Sequence, residues 1–189
     1  MRRVRYSPFL LLGLVTVASG CSYNRLQRLD EQINAAQSQI KVQLQQRNDL
    51  IPNLVNTVKG ITKQEDTVFI SIANARSRIG AALQSNDMQE LGAANAAMAA
   101  PLSRLLAISE NYPTLQSSQN FRTLQDQIEG MEHRIATART DYNTAVQQFN
   151  SAIRQFPTNL TAKMFGLGKP RPYFDLSSAS AANAPTVKF

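Results

Sequence analysis

FRTLQDQIEGMEHRIATARTDYNTAVQQFNSAIRQF, residues 121–156, decides the fold. Phe121, Leu124, Ile128, Met131, Ile135, Ala138, Tyr142, Ala145, Phe149, Ala152 and Phe156 recur at alternating spacings of three and four. That rhythm lays one apolar seam along an α-helix, the heptad pattern of a coiled coil. Arg122, Gln125, Glu129, Glu132 and Arg139 fall on its rim and remain wet. Upstream, Tyr112 precedes Pro113 and is biased out of the helical region, so a helix stops there. Pro157 closes the other end. The spacing predicts a helix from Thr114 to Gln155, about 60 Å long at about 1.5 Å per residue. A seam of that length has to be covered by helices folded back against it.

Those helices are legible upstream. Leu26, Leu29, Ile33, Ala36, Ile40, Leu44, Ile51, Leu54, Val58 and Ile61 trace one face at a period near 3.6. Pro52 interrupts it, either bending one long helix or opening a new one. The unbroken stripe favours the bend. Gly60 and Thr62 weaken the helix, and a second run from about Glu65 to Leu83 carries Val68, Ile72, Ile79 and Leu83 inward. Ser85-Asn86-Asp87 reads as a turn and N-cap. From Met88 the chain is alanine-rich, with Leu91 and Met98 inward, and Pro101 restarts a helix carrying Leu102, Leu105, Leu106 and Ile108. No block of strict polar/apolar alternation exists beyond Tyr23. The expected fold is all-α: a long antiparallel bundle of about four main helices, the last the longest.

The first residues have a different character. MRRVR is basic, Pro8 to Ser19 is short and mostly apolar, and VASGCS, residues 17–22, holds the chain's single cysteine. A basic start, a greasy core and small residues before a break are the parts of an export signal. The run is short for a permanent span, which needs about 20 apolar residues. Ala18-Ser19-Gly20-Cys21 resembles a bacterial lipobox, with alanine where leucine is usual. In that reading residues 1–20 are a lipoprotein signal peptide and Cys21 carries acyl chains. Several chains anchor stably, since each buried CH₂ contributes about 0.8 kcal/mol. A plain secretory signal and a retained membrane helix are the alternatives. Ser22 after the cysteine is similar to the outer-membrane sorting choice, giving a lipid-anchored protein on the extracytoplasmic side, facing the periplasm in a cell with two membranes.

At the other end FGLGKPRPYFD, residues 165–175, is a Gly/Pro loop whose Phe165, Tyr173 and Phe174 are expected to tuck against a bundle end. Residues 176–189 have little to bury and are expected to be a disordered tail. The bundle domain is thus residues 21–175.

Composition excludes much chemistry. The chain of 189 residues is 43% hydrophobic and 17% charged, with one Cys and one His. One cysteine makes no internal disulfide, and no Cys/His cluster exists to hold zinc. Net charge is +7, of which Arg2, Arg3 and Arg5 contribute three. The remaining +4 is ordinary solubility charge, and without a basic stripe or stacking motif nucleic acid is not an expected partner. His133 sits beside the seam near Glu129 and reads as a rim residue. There is no HExxH, no paired Glu-x-x-His motif for a di-iron bundle, and GLGK at 166–169 lacks a full phosphate loop. No metal, no cofactor and no enzymatic activity are expected. Asp49, Glu65, Glu110 and Glu132 either cap helices and pair with Arg47, Lys59, Arg134 or Arg139, or face a partner.

With these residues in view the chain resembles the LemA family of bacterial envelope proteins. The match begins at Tyr23-Asn24 and runs through RNDLIPNLVNTVKG, residues 47–60, with Glu65 beyond. It resumes at LLAISENYP, 105–113, then Asn120-Phe121, Leu124-Gln125 and EHRIATARTDYN, 132–143. Val146, Asn150, Phe156-Pro157, Asn159 and Phe165-Gly166 complete it. The resemblance implies a long helical bundle tethered to a membrane, with no settled activity to transfer. The chain departs from it in the lipobox-like Cys21 and in Ile61, where an aromatic is common. DLIPNLV and ENYP then suggest a shared docking surface of Asp49, Pro52, Asn53, Lys59, Glu65, Glu110 and Tyr112. The leading expectation is a non-enzymatic envelope lipoprotein that binds or scaffolds protein partners. The alternatives are an accessory factor binding lipid or glycan in membrane or cell-wall homeostasis and, remotely, an enzyme with a carboxylate-lined site. The alanine-rich segment adds a possible groove for a second copy.

Overall fold

A computed structural model describes residues 8–60 and 66–174, with side chains from Ser22 onward. The described residues form six helices: α1 (Pro8–Lys59), α2 (Asp66–Gln84), α3 (Met88–Glu110), α4 (Pro113–Gln116), α5 (Gln119–Ala152) and α6 (Thr158–Met164). Four are long and build an antiparallel bundle, as the apolar periods required. Ile61, Thr62, Glu65, Asp175 and the tail, and the Cys21 side chain, for which the sequence raised expectations, lie outside the described residues.

The longest helix is the first, not the last. α1 has 52 residues, about 78 Å at about 1.5 Å each, because it runs through Pro52 without a break. Ile51, Leu54 and Val58 stay fully buried on either side of that proline. Their burial holds the helical register that the missing N–H would otherwise weaken. Pro101 likewise lies inside α3 and starts nothing new.

The seam helix is shorter than its spacing suggested. Pro113 opens a single turn, α4, which ends at Ser117-Ser118, and α5 begins only at Gln119. α5 stops at Ala152, before Pro157, so Phe156 leaves the seam and is 80% exposed. Within α5 the expected stripe holds: Phe121, Ile128, Ile135, Ala138, Tyr142, Ala145 and Phe149 are buried, with Leu124 and Met131 partly so.

α5 lies antiparallel along α1. Arg134 Nε donates to Gln43 Oε1 at 3.1 Å, and Arg47 pairs with Glu132, so rising numbers on one helix meet falling numbers on the other. The α2–α3 hairpin packs on the same α1. Asp87 caps α3 by accepting from the Gln89 and Glu90 amides at 2.8 and 3.2 Å, which satisfies two otherwise free donors. Phe69, absent from the expected stripe of α2, is buried, with the Lys59 ammonium 5.8 Å from its ring centroid. One continuous core results, running from Leu26 at one end to Leu115 and Phe121 at the other.

Candidate functional site

Two constructions stand out along the rod. The first is a polar layer at its middle. Arg47 belongs to the buried stripe of α1, and its side chain is only 3% exposed. Its guanidinium joins three helices: Nη1 pairs with Glu132 of α5, and Nη2 donates to Asn95 Oδ1 of α3 at 2.5 Å. Arg76 of α2 donates to the Asn48 carbonyl at 3.1 Å, so all four long helices meet at this level. Arg47 Nε and Asn48 Oδ1 are buried without a hydrogen bond. A buried charge of this kind costs desolvation that its pairing only partly offsets. What it fixes is register: sliding α1, α3 or α5 by a turn separates the guanidinium from Glu132 or Asn95. The pairing of Glu132 with Arg47 is one of the structural options open to the acids in the sequence.

The second construction closes one end. After α6 the chain turns at Gly166, whose φ of 75° is the left-handed conformation that favours glycine. The Leu167 amide reaches the Ala162 carbonyl at 2.8 Å and the Gly166 amide the Lys163 carbonyl at 3.4 Å, a Schellman-type cap. The chain then returns as an extended strap over α5. Two carboxamides one heptad apart receive it. Asn150 donates to the Arg171 carbonyl at 2.9 Å and accepts from the Arg171 amide at 2.8 Å. Asn143 does the same for Phe174, at 3.2 and 2.9 Å. Between them the Tyr142 hydroxyl donates to the Pro172 carbonyl at 3.0 Å. Burial raises the Tyr142 pKa above its usual 10.0, with the Arg171 charge opposing. Arg171 also pairs with Asp30 of α1 at 2.6 Å. Of the aromatics expected to tuck here, Phe174 is buried, whereas Tyr173 and Phe165 are about half exposed. Phe165 instead packs tilted against Tyr23 of α1, ring centroids 4.5 Å apart.

The sequence-derived surface is distributed differently. Asp49 and Asn53 are exposed one turn apart on α1, Asp49 accepting from Gln45 at 2.7 Å, and Pro52 is half-buried between them. Lys59 ends α1 and is exposed. Glu110 is exposed at the end of α3, and the Tyr112 ring is half-buried against the core beyond it. Since α5 begins where α1 ends, Lys59, Glu110 and Tyr112 share the end of the rod opposite the strap. Asp49 and Glu110 are not joined by a hydrogen bond or ion pair. The sequence placed residues 165–175 against a bundle end, and the resemblance spans Asn143 and Asn150, but neither gave the two asparagines the role of holding that segment. The signal available was carboxamides at 143 and 150, set a heptad apart beside Tyr142 and Phe149.

Little in the arrangement suits covalent chemistry. Among the described residues no group of three or more His, Cys, Asp or Glu could hold a metal. His133 is exposed; Glu129, its expected neighbour, accepts from Gln125 at 3.1 Å instead. It lines only a shallow groove of about 260 Å³ with Gln39, Gln43, Arg134, Thr137 and Asp141. A larger open groove of about 490 Å³ runs beside the strap, lined by Arg139, Thr140, Asn143, Thr144, Gln147, Tyr173 and Phe174. It holds no carboxylate. By length and composition α3 is apolar enough to cross a membrane. In the fold it is a core helix, burying Leu91, Met98, Leu102 and Leu105.

Comparison with known proteins gives the family. The LemA family model matches residues 36–189. Magnetosome proteins MamQ 1 and MamQ 2 of Paramagnetospirillum magneticum are each 30% identical over 204 residues, covering 92% of this chain and 75% of theirs. Magnetosome protein MamQ of Magnetospirillum gryphiswaldense is 28% identical over 196 residues, covering 87% and 72%. These relationships support membrane association. A helical rod with this sequence order, matched over most of its length, belongs to the LemA family.

Proposed function

We propose that this chain is a non-enzymatic envelope lipoprotein, held at a membrane by acyl chains on Cys21 and presenting its rod to a protein partner. The observation that carries the reading is a continuous α1 in which the lipobox-like VASGCS leads directly into the bundle. A tether joined to the rod by helix, not by a loose linker, holds the rod in a defined attitude to the membrane. Asp49, Asn53, Lys59 and Glu110 are solvent-facing and free to meet a partner, and Glu65 and Tyr112 belong to the same proposed surface. The relatives are named for the magnetosome; the scaffolding role proposed for this chain rests on its anchor and long bundle. Signal cleavage before Cys21, residence in the outer membrane facing the periplasm and self-association are further parts of the proposal.

In-cell crosslinking followed by mass spectrometry tests it. The expected result is a reproducible partner whose capture is lost in an Asp49→Lys/Glu110→Lys variant that still folds. Capture of the same proteins by wild type and variant would overturn the surface.

A further inference from the structure

The strap end of the rod leaves apolar side chains in water. Phe156 is 80%, Met164 68%, Leu160 58% and Phe165 50% exposed. Leu160 and Met164 are i,i+4 neighbours on α6, so they share one face of that helix. Scattered exposed hydrophobes need no explanation, but four within ten residues of sequence on one short corner form a patch. Their position supplies the occupant. α6 packs on α1, and the Phe165 ring lies tilted against Tyr23, two residues from Cys21 and just after the apolar run of Pro8 to Ser19. The patch therefore lies beside the point where the chain meets the lipid.

Charge points the same way. No acid occurs between Asp141 and Asp175, nor between Ser22 and Leu29. Arg25, Arg28, Arg154, Lys163 and Lys169 are exposed there, and Arg171 is paired with Asp30. Apolar side chains on one face of a short helix with lysines and arginines around them are what an anionic bilayer surface binds.

We infer that α6 and the turns flanking it form a second membrane contact, in which Phe156, Leu160, Met164 and Phe165 enter the interfacial layer of an anionic phospholipid bilayer and Lys163 and Lys169 meet its headgroups. The contact rests on the membrane-tether reading for its geometry but not on acylation for its chemistry. It converts a single tether into a two-point attachment and fixes the rod's tilt.

The chain has no tryptophan, so one introduced indole reports alone. The full-length F156W chain is reconstituted in phosphatidylglycerol/phosphatidylcholine vesicles containing brominated phosphatidylcholine. An I70W chain serves as the control, since Ile70 is also exposed but lies on the first turns of α2, toward the Lys59 end. The expected result is blue-shifted, strongly quenched emission for F156W and unquenched emission for I70W. Adding K163Q and K169Q should weaken the surface contact by about fivefold per cation removed, and omitting phosphatidylglycerol should act in the same direction. A blue-shifted but unquenched F156W would mean that protein covers the patch, as in a second copy, and would overturn the inference. So would an F156W spectrum like that of I70W. Intact mass reports the tether separately: an unacylated Cys21 with a quenched F156W removes the tether and keeps the surface, and an acylated Cys21 with an unquenched reporter does the reverse.

Discussion

The two ends of the rod are about 55 Å apart, counting α1 from Ser22 to Lys59 at about 1.5 Å per residue, and they are finished in opposite ways. At the far end Val58, Leu115 and Phe121 are buried, and the α4 turn closes over them. At the near end the chain ties a strap down with two asparagines and a tyrosine, yet leaves Phe156, Leu160, Met164 and Phe165 outside. The near end is not short of means to bury apolar groups, because Phe174 is fully covered a few residues later. Among the described residues the near end thus gathers four exposed apolar side chains among lysines and arginines, where the far end exposes Ile70.

That contrast can be broken by mutation. Phe121→Ala at the closed end removes a buried ring and should cost about 3–5 kcal/mol in a denaturant titration. Glu132→Ala at the middle leaves the Arg47 guanidinium buried with Asn95 alone. Because the Glu132 side chain is 47% exposed, the expected loss is about 2 kcal/mol, below the range for a fully buried pair. Loss of only a few tenths would mean that the layer does not set register. Asn150→Ala removes both strap hydrogen bonds at Arg171 and should cost about 1–2 kcal/mol. Limited proteolysis should then cut within 166–174 while α1 and α5 remain intact.

Tyr142→Phe sharpens the comparison through pH. The folded pKa is raised, so the folded state keeps its phenolic proton where the unfolded state, near 10.0, loses it. The contribution is complete below pH 10 and is lost as pH rises through the higher folded value. The variant should lose about 1 kcal/mol at neutral pH, from the bond to Pro172. It should also unfold less steeply above pH 10 than wild type, as followed by circular dichroism. Phe156→Ala, at the open end, should change stability by less than about 0.5 kcal/mol in solution. A large loss there would show that Phe156 packs in the fold and is not reserved for another phase.

The helices were legible because their apolar periods are long and their breaks chemical. Asp87 was readable as a cap, Tyr112-Pro113 as a stop and the heptads of α5 as a seam. The unbroken stripe across Pro52 already favoured one helix running through it, as found. Pro101 was not readable: it sits inside α3 because Met98 and Leu102 are held in the core on both sides. The exposure of Phe156 was hidden for the converse reason: it keeps heptad spacing, but α5 ends at Ala152 and carries it out of the seam. The docking of residues 165–175 on a bundle end was legible, but its tie-down was not, because pairing of a side-chain amide with an extended backbone leaves no periodic trace. Of the candidate surface, exposure at Asp49, Asn53, Lys59 and Glu110 could be anticipated, while the polar bridge from Arg47 needed the three-dimensional register.

The tether is the premise that gives the open end its meaning, and intact-mass analysis of the protein from its native membrane tests it most directly. The account predicts a chain beginning at Cys21, heavier than its residues by the mass of the attached acyl groups. A chain that retains residues 1–20, or one that carries an unmodified Cys21 thiol, would contradict it.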